Sequence, residues 1–294
     1  CIRDSSCTVR LNELMSGHTS FKIGGPADIL VLPESIEQLR EVLKVVKETV
    51  VPLTLLGNGS NVLVRDKGIR GIVIKLGNML RHFYEAEDLL VFGSGYSLAL
   101  ASYKAMECGK TGMEFAVGIP GSIGGAVYMN AGAYDGEMQN IVNCVKVMDL
   151  QGNERVLTAE ELNFGYRKTS LQNSGLIVTE VTLKMPSGNK DEIKSKMDDF
   201  SHRRISKQPL EMPSAGSMFK RPPGYFAGTL IDQAGLKGYT VGGAQISTKH
   251  AGFVVNVGGA TAADVLQLIK DVQTKIKAGV GVELQPEVLV IGEE

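Results

Sequence analysis

Apolar residues recur at every third or fourth position in several stretches of the chain, which is the spacing of an amphipathic helix. One such stretch follows Ser35, a favourable helix N-cap residue with Glu37 in the first turn. A further helix is predicted over 97–108, closed by Gly109. Three periodic helices are predicted, starting near residues 36, 190 and 262. The apolar face of the first is Ile36, Leu39, Val42, Leu43 and Val46, that of the second is Ile193, Met197 and Phe200, and that of the third is Val265, Leu268, Ile269, Val272 and Ile276.

Short apolar runs between these helices predict strands. The predicted strands cover 27–32, 52–56, 62–64, 71–76, 89–92, 142–150, 176–185 and 287–291. Helix and strand alternate in the first part of the chain, whereas the middle is dominated by strands, so we expect an α+β fold. The segment 186–189, Pro-Ser-Gly-Asn, is the clearest break in composition. We therefore expect domains at 1–78, 79–186 and 187–294.

Composition and charge exclude several classes of protein. The chain has 31 Lys and Arg against 32 Asp and Glu, and the resulting charge of −1 argues against nucleic-acid binding. The longest charge-free run, 115–134, contains five Gly as well as Pro120 and Asn130, so no membrane span is predicted. The four cysteines form no CxxC pair and no signal peptide opens the chain, which favours reduced thiols in the cytoplasm. No metal site is predicted, since the four histidines are scattered.

Glycine is abundant, with 35 of 294 residues, and is concentrated in two candidate ligand loops. Neither loop matches a Rossmann, P-loop or nucleophile-elbow signature, and neither carries Lys or Arg. A diphosphate held there would therefore be bound by backbone N–H groups and serine hydroxyls, and the alternative is a pair of tight turns. The candidate residues are Gly57, Asn58, Gly59, Ser60 and Asn61 in the first loop and Gly118, Pro120, Gly121, Ser122, Gly124 and Gly125 in the second.

A third cluster, 213–224, combines hydroxyls, two cations and rigid prolines. Lys220 and Arg221 are suited to a phosphorylated substrate, and Ser217 can donate a proton from a fixed position. The alternative is a surface loop with solvated cations. Arg167 and Glu287 stand near strand edges, where a solvated side chain is the simpler interpretation. His250 is as compatible with a half-buried structural histidine as with a ligand contact.

In their order along the chain, these segments resemble the UDP-N-acetylenolpyruvoylglucosamine reductase family, called MurB. The resemblance extends from about residue 10 to the C-terminus and lacks the insertions of the longer form, so the chain is similar to the shorter, second type. It is carried by HTSFKIGGPAD (18–28), GNGSN (57–61), GIPGSIGGAVYMNAGAY (118–134), YRKTS (166–170), SAGSMFKRPPGYFAG (214–228), GGAQISTKHAGFVVN (242–256) and QPEV (285–288).

The resemblance implies a fold of the vanillyl-alcohol-oxidase (PCMH) FAD-binding type in two subdomains, 1–78 and 79–186, followed by an α/β substrate domain. The final strand near 285–291 would pack back on the FAD domain. FAD would be bound non-covalently, because 57–61 contains neither His nor Cys. NADPH would reduce it, with both glycine loops and His250 as the implied cofactor contacts.

The same resemblance implies roles in reducing the enolpyruvyl ether of UDP-N-acetylglucosamine. Arg167 and Glu287 would act at the substrate carboxylate, Ser217 would supply the proton, and Lys220 and Arg221 would bind the substrate. Two other functions stay open on the residues alone. One is a flavin-dependent alcohol or sugar oxidase of the same fold, and the other is an inactive nucleotide-binding module.

Overall fold

The structure is a computed structural model, and it describes residues 7–76 and 80–294. Its strands are β1 (Thr8–Leu14), β2 (Pro26–Leu32), β3 (Leu53–Leu56), β4 (Val62–Val64), β5 (Ile69–Lys75), β6 (Phe83–Ala86), β7 (Leu89–Gly93), β8 (Gly132–Ala133), β9 (Gly136–Glu137), β10 (Val142–Met148), β11 (Glu154–Thr158), β12 (Ile177–Lys184), β13 (Ser214–Ser217), β14 (Thr240–Val241), β15 (Ala244–Ile246), β16 (Phe253–Asn256) and β17 (Leu289–Ile291). Its α-helices are α1 (Ile36–Thr49), α2 (Leu98–Glu107), α3 (Ile123–Tyr128), α4 (Lys190–Lys207), α5 (Ala227–Gln233) and α6 (Ala262–Val280).

The four predicted helices are confirmed, and local chemistry explains their ends. The hydroxyl of Ser35 accepts from the Gln38 N–H at the start of α1, and Ser97 caps α2 through the Leu100 N–H. Thr261 and Asp264 form a reciprocal capping box at the start of α6. That helix ends at Val280 and is capped by Gly281, which has a φ of 70°.

The chain divides into two compact units, which we call unit 1 and unit 2. Within the described residues, unit 1 consists of 7–10, 30–58, 71–76 and 80–203, and unit 2 consists of 11–29, 59–70 and 204–294. These two units do not test the expected division into three domains, which stays a prediction. One of those limits, between residues 78 and 79, lies outside the described residues, as does Cys1.

Unit 1 is built on an antiparallel sheet with the strand order β11-β10-β12-β7-β6. Alternate residues of β10 and β12, such as Val145, Val147, Val181 and Leu183, point into one apolar core that also receives α2 and α3. The predicted face of α4 is confirmed: Ile193, Met197 and Phe200 pack in a smaller cluster with Val117. The cost of ordering this unit is offset by the burial of that apolar surface.

Unit 2 contains the sheet β13-β16-β15-β14 together with α5 and α6. The apolar face of α6 is buried in one core with residues of β15 and β16, as its sequence pattern predicts. A parallel pair joins β17 to β4, with Leu289 opposite Val62. Asp66 accepts hydrogen bonds from the N–H groups of Ala262 and Ala263, at 2.7 and 2.9 Å, and so satisfies the free donors of the first turn of α6.

Several elements differ from the sequence prediction. The second half of the glycine loop 118–125 belongs to helix α3, capped by Ser122, although Ile-Gly-Gly is a poor helix former. The last strand starts at Leu289 rather than at residue 287. No predicted element corresponds to helix α5 or to the strands β1, β6, β8, β9, β11, β13, β14, β15 and β16. None of the described helices is long and apolar enough to cross a membrane.

Candidate active site

The two glycine loops meet inside unit 1. A Cβ placed on Gly57, at the end of β3, would lie 3.2 Å from the Ser122 Oγ of the second loop. Gly118 and Gly121 have φ values of 72° and 138°, which L side chains rarely adopt. The strand-to-loop turn after β3 and the turn before α3 therefore converge on the Ser122 hydroxyl.

The glycines at the start of α3 shape the loop rather than offer free donors. The N–H of Gly124 donates to the Ser94 carbonyl at 2.9 Å, and that of Gly125 donates to the Ser122 Oγ at 3.3 Å. A Cβ on Gly124 would lie 2.7 Å from the Cβ of Ser94, closer than real Cβ atoms approach. Glycine at 124 is therefore required for α3 to approach the turn after β7.

The rest of the first loop, from Gly59 onward, belongs to unit 2 and has structural contacts there. The Gly59 carbonyl accepts the Ser20 N–H at 3.0 Å, and a Cβ on Gly59 would lie 2.2 Å from the His18 carbonyl oxygen. Asn61 donates from Nδ2 to the Glu287 carbonyl at 3.3 Å. Ser60 also takes part in a polar or charged contact. Gly59 and Asn61, two of the predicted cofactor residues, thus hold neighbouring backbone segments in place.

Unit 2 gathers Ser217, Lys220 and Glu287 through backbone hydrogen bonds. The Glu287 N–H donates to the Met218 carbonyl, and the Lys220 N–H donates to the Gln285 carbonyl, each at 2.8 Å. Met218 is 1% exposed, whereas the preceding residue, Ser217, is exposed. The strand β13 thus ends at the exposed Ser217. The next residue, Met218, is hydrogen-bonded to Glu287.

Arg221 lies beside an aromatic ring that the sequence analysis did not single out. Its Cζ is 4.0 Å from the centroid of the Phe226 ring, a cation–π geometry, and Phe226 is 59% exposed. Four residues, two of them prolines, lie between Arg221 and Phe226 in the sequence, and Phe226 is the residue before α5. The spacing alone gave no signal for this contact.

His250 has the environment of a structural histidine. Its Nδ1 accepts the Gly252 N–H at 3.0 Å, and its ring meets Phe253 edge-on at 5.1 Å. Burial lowers the pKa of His250 below its ordinary value. A neutral ring whose Nδ1 accepts a bond carries its proton on Nε2. These contacts supply no sign of a ligand, so the cofactor role of His250 stays a prediction.

Arg167 in unit 1 is held by main-chain oxygens. Its Nη1 and Nη2 donate to the carbonyls of Asn130 and Gly132, at 3.3 and 3.1 Å, and its Cζ is 5.1 Å from the Tyr166 ring. Its own φ is 55°, in the left-handed region. The two fork nitrogens are therefore oriented by the segment that runs from α3 into β8.

The residues of unit 1 fit a bound FAD diphosphate. Glycine at 57 leaves open the space beside the Ser122 hydroxyl, and the two loops contain no carboxylate that would repel an anion. The predicted cofactor residues that belong to unit 1 are Gly57, Asn58, Gly118, Pro120, Gly121, Ser122, Gly124 and Gly125. Among the described residues no group of His, Cys, Asp and Glu is arranged to bind a metal. The thiols of Cys7 and Cys108 donate to Gln38 Oε1 and Glu85 Oε1, at 3.6 and 3.1 Å.

Two family models match the chain. The model of an FAD binding domain matches residues 27–158, which include both glycine loops. The model of the C-terminal domain of UDP-N-acetylenolpyruvoylglucosamine reductase matches residues 208–291, which include Ser217, Lys220 and Glu287. The expected FAD-binding α+β fold and the FAD cofactor are thereby confirmed.

Similar proteins cover nearly the whole chain. It is 49% identical to UDP-N-acetylenolpyruvoylglucosamine reductase of Clostridioides difficile strain 630, and 51% identical to that of Clostridium perfringens strain SM101. Each match covers 97% of this chain and 94% of the relative. The crystal structure of the reductase from Thermus caldophilus matches with a TM-score of 0.81 and 38% identity, over 97% of this chain and 98% of that one.

Proposed function

Because the chain belongs to the UDP-N-acetylenolpyruvoylglucosamine reductase family, we propose a role for each of its site residues in that reduction. The protein is an FAD-dependent oxidoreductase of peptidoglycan precursor synthesis. Its substrate in this proposal is the enolpyruvyl ether of UDP-N-acetylglucosamine, its reductant is NADPH, and its product is UDP-N-acetylmuramate. We assign the reaction to the cytoplasm, where both nucleotides and reduced thiols occur.

FAD would be held beside Gly57 and Ser122, and it would supply the addition of a hydride, taken from NADPH, to the terminal vinyl carbon of the substrate. That addition pushes negative charge toward the substrate carboxylate. Arg167 stabilises the charge in this proposal, because a pre-oriented guanidinium needs little reorganisation as the charge develops. Its fork is supported by the carbonyls of Asn130 and Gly132, at 3.3 and 3.1 Å.

Ser217 donates the proton that completes the reduction at the neighbouring carbon. A serine hydroxyl is a weak acid, so it can protonate only a strongly basic, enolate-like species, and the proposed intermediate is of that kind. Lys220 and Arg221 bind the phosphorylated end of the substrate, and Glu287 acts at the carboxylate end with Arg167. The observation that carries this assignment is the pair of 2.8 Å backbone bonds that keep Ser217, Lys220 and Glu287 within one small region of unit 2.

The function is tested by following flavin absorbance anaerobically. NADPH should bleach the yellow protein, and the enolpyruvyl nucleotide alone should restore the colour promptly. Bleaching without recovery would overturn the substrate assignment while keeping the flavoprotein. Rapid recovery with oxygen instead would favour the flavin-dependent oxidase, and a protein that NADPH does not bleach would contradict the reductant.

A further inference from the structure

The backbone around Arg167 is unusually strained. Asn130, Tyr134, Asp135 and Arg167 all have left-handed φ values, of 43°, 50°, 63° and 55°. Left-handed backbone is unfavourable for residues with a side chain and persists only where the surrounding structure imposes it, and this kind of strain collects at functional sites. The four residues belong to two segments of unit 1 that meet at the Arg167 guanidinium.

Asn130 lies at the centre of this arrangement and is fully buried, with 0% of its surface exposed. Its Nδ2 donates to Glu137 Oε2 and to the Gly165 carbonyl, each at 3.0 Å, and its Oδ1 accepts the Gln139 N–H at 3.0 Å. One amide side chain therefore ties the end of α3 to the strand β9 and to the turn that carries Arg167. Asparagine suits this place because it adopts left-handed backbone more readily than other residues with a side chain.

The main-chain carbonyl of Asn130 is also the group that receives Nη1 of Arg167, at 3.3 Å. The three side-chain bonds hold Asn130 in its left-handed backbone conformation, and that conformation orients the carbonyl. A second hydrogen bond stabilises the same turn, since Gln172 donates from Nε2 to the Arg167 carbonyl at 3.1 Å. The position of the guanidinium thus depends on Asn130 through both the carbonyl and the amide.

We propose that Asn130 is the positioning residue for Arg167. This inference rests on the proposed role of Arg167 at the substrate carboxylate. Asn130 holds the guanidinium fork in the orientation that the developing charge requires, and it touches neither substrate nor cofactor. A displacement of a positioned group by about 1 Å can cost about 100-fold in rate, so the effect should be large for a residue outside the chemistry.

The test is Asn130→Asp in the FAD-loaded protein. Aspartate keeps the size, the tolerance of left-handed backbone and the acceptor for Gln139, but it loses both donations and faces Glu137 with a like charge. We expect flavin reoxidation by the enolpyruvyl nucleotide to slow about 10- to 100-fold. Reduction by NADPH and the absorbance spectrum of the bound flavin should be unchanged. The matched control is Asn173→Asp, since Asn173 is also left-handed, with a φ of 62°, but exposed, and it should leave both half-reactions intact.

A second variant separates positioning from general damage. Adding Glu137→Gln to Asn130→Asp removes the repulsion between the two carboxylates and allows a 130–137 hydrogen bond with donor and acceptor exchanged. Partial recovery of reoxidation, with unchanged flavin binding, is the expected result. The proposal is overturned if the double variant stays as slow as Asn130→Asp, or if Asn130→Asp reoxidises at the normal rate while Arg167→Ala does not. Normal reoxidation in Arg167→Ala would instead refute the role of Arg167 itself.

Discussion

Arg167 in unit 1 and Ser217 in unit 2 are fixed by different kinds of structure. Ser217 ends a strand, β13, that is paired with Phe253 of β16, and its neighbours are held by backbone bonds to the segment 285–287. Arg167 stands in a turn with left-handed backbone and is oriented by carbonyls 35 and 37 residues away along the chain. Ser217 is thus positioned by the main-chain hydrogen bonds of a strand ladder, and Arg167 by hydrogen bonds between loops.

This difference determines what a substitution removes. A strand ladder is formed by main-chain groups, so a side chain at its end can be replaced while the backbone keeps its course. In the loop network, side chains hold the main chain, and a change there alters geometry as well as chemistry. Substitutions in unit 2 should therefore separate catalysis from stability, and those near Arg167 should couple the two.

Ser217→Ala should have the largest effect on activity, and it should separate catalysis from stability most clearly. Loss of a proton donor typically costs about 10²- to 10⁴-fold, so reoxidation of the reduced flavin by substrate should fall in that range. Reduction by NADPH and the melting temperature should stay unchanged, because the bonds of β13 are main-chain bonds. Stopped-flow absorbance of each half-reaction gives the answer. The matched control is Ser214→Ala in the same strand, and normal reoxidation in Ser217→Ala would refute the assignment.

Arg167→Lys should lower both activity and stability, as expected for a substitution in the loops of unit 1. An ammonium group lacks the planar fork that bonds two carbonyls at once, so the charge is kept but its placement is lost. We expect reoxidation to slow about 10²-fold and the melting temperature to fall by a few degrees. Lys168→Ala, at an exposed neighbouring position, should change neither. A slow but fully stable Arg167→Lys enzyme would contradict the contrast between the units.

The same contrast explains how far the sequence could predict the molecule. Helices α1, α4 and α6 were predictable because their apolar periodicity and caps are local, as Ser35 and Thr261 illustrate. The sequence singled out Ser217, Lys220 and Glu287 as candidates, and family resemblance supplied their roles. Their proximity comes from backbone pairing between segments more than 60 residues apart.

Interactions made by tertiary contact left no local signal. Helix α3 begins with Ile-Gly-Gly, a poor helix former, and its first amides are satisfied by the carbonyls of Tyr96 and Ser94. The role of Asn130 depends on partners in β9 and in the turn at Gly165, and nothing in its own sequence neighbourhood indicates them. The contact of Arg221 with Phe226 depends on the course of a proline-rich loop.

Gly124→Ala tests whether the glycine loop of unit 1 depends on close packing. The new Cβ would lie 2.7 Å from the Cβ of Ser94, so α3 must shift. We expect a loss of about 1–3 kcal/mol in the free energy of unfolding, together with easier release of FAD. Chemical denaturation and flavin fluorescence measure the two effects. Gly279→Ala in α6, where nothing lies within 4 Å, should be neutral or stabilising. Equal behaviour of the two variants would argue against a tight loop.

Phe226→Leu should have a smaller effect that is confined to binding. It removes the aromatic face that lies 4.0 Å from Arg221, a contact worth about 0.5–1 kcal/mol at an exposed site. The KM for the nucleotide substrate should rise about 2- to 5-fold with kcat and stability unchanged, because Phe226 is 59% exposed. Phe226→Tyr keeps the ring and should behave as wild type. A change in kcat alone would show that Arg221 does not act in substrate binding.

His250 gives the smallest effect and brings pH dependence into unit 2. Burial lowers the pKa of His250 in the folded protein, so the unfolded chain takes up the proton first as the pH falls. The stability contributed by neutral His250 is complete above the ordinary histidine range, near pH 6.5, and decreases as the pH falls below it. His250→Asn keeps an acceptor for the Gly252 N–H, which is bound at 3.0 Å, but does not titrate. Melting temperatures at pH 7.5 and 5.0 should therefore differ less in His250→Asn than in the wild type. An equal drop in both would mean that other groups carry the acid sensitivity.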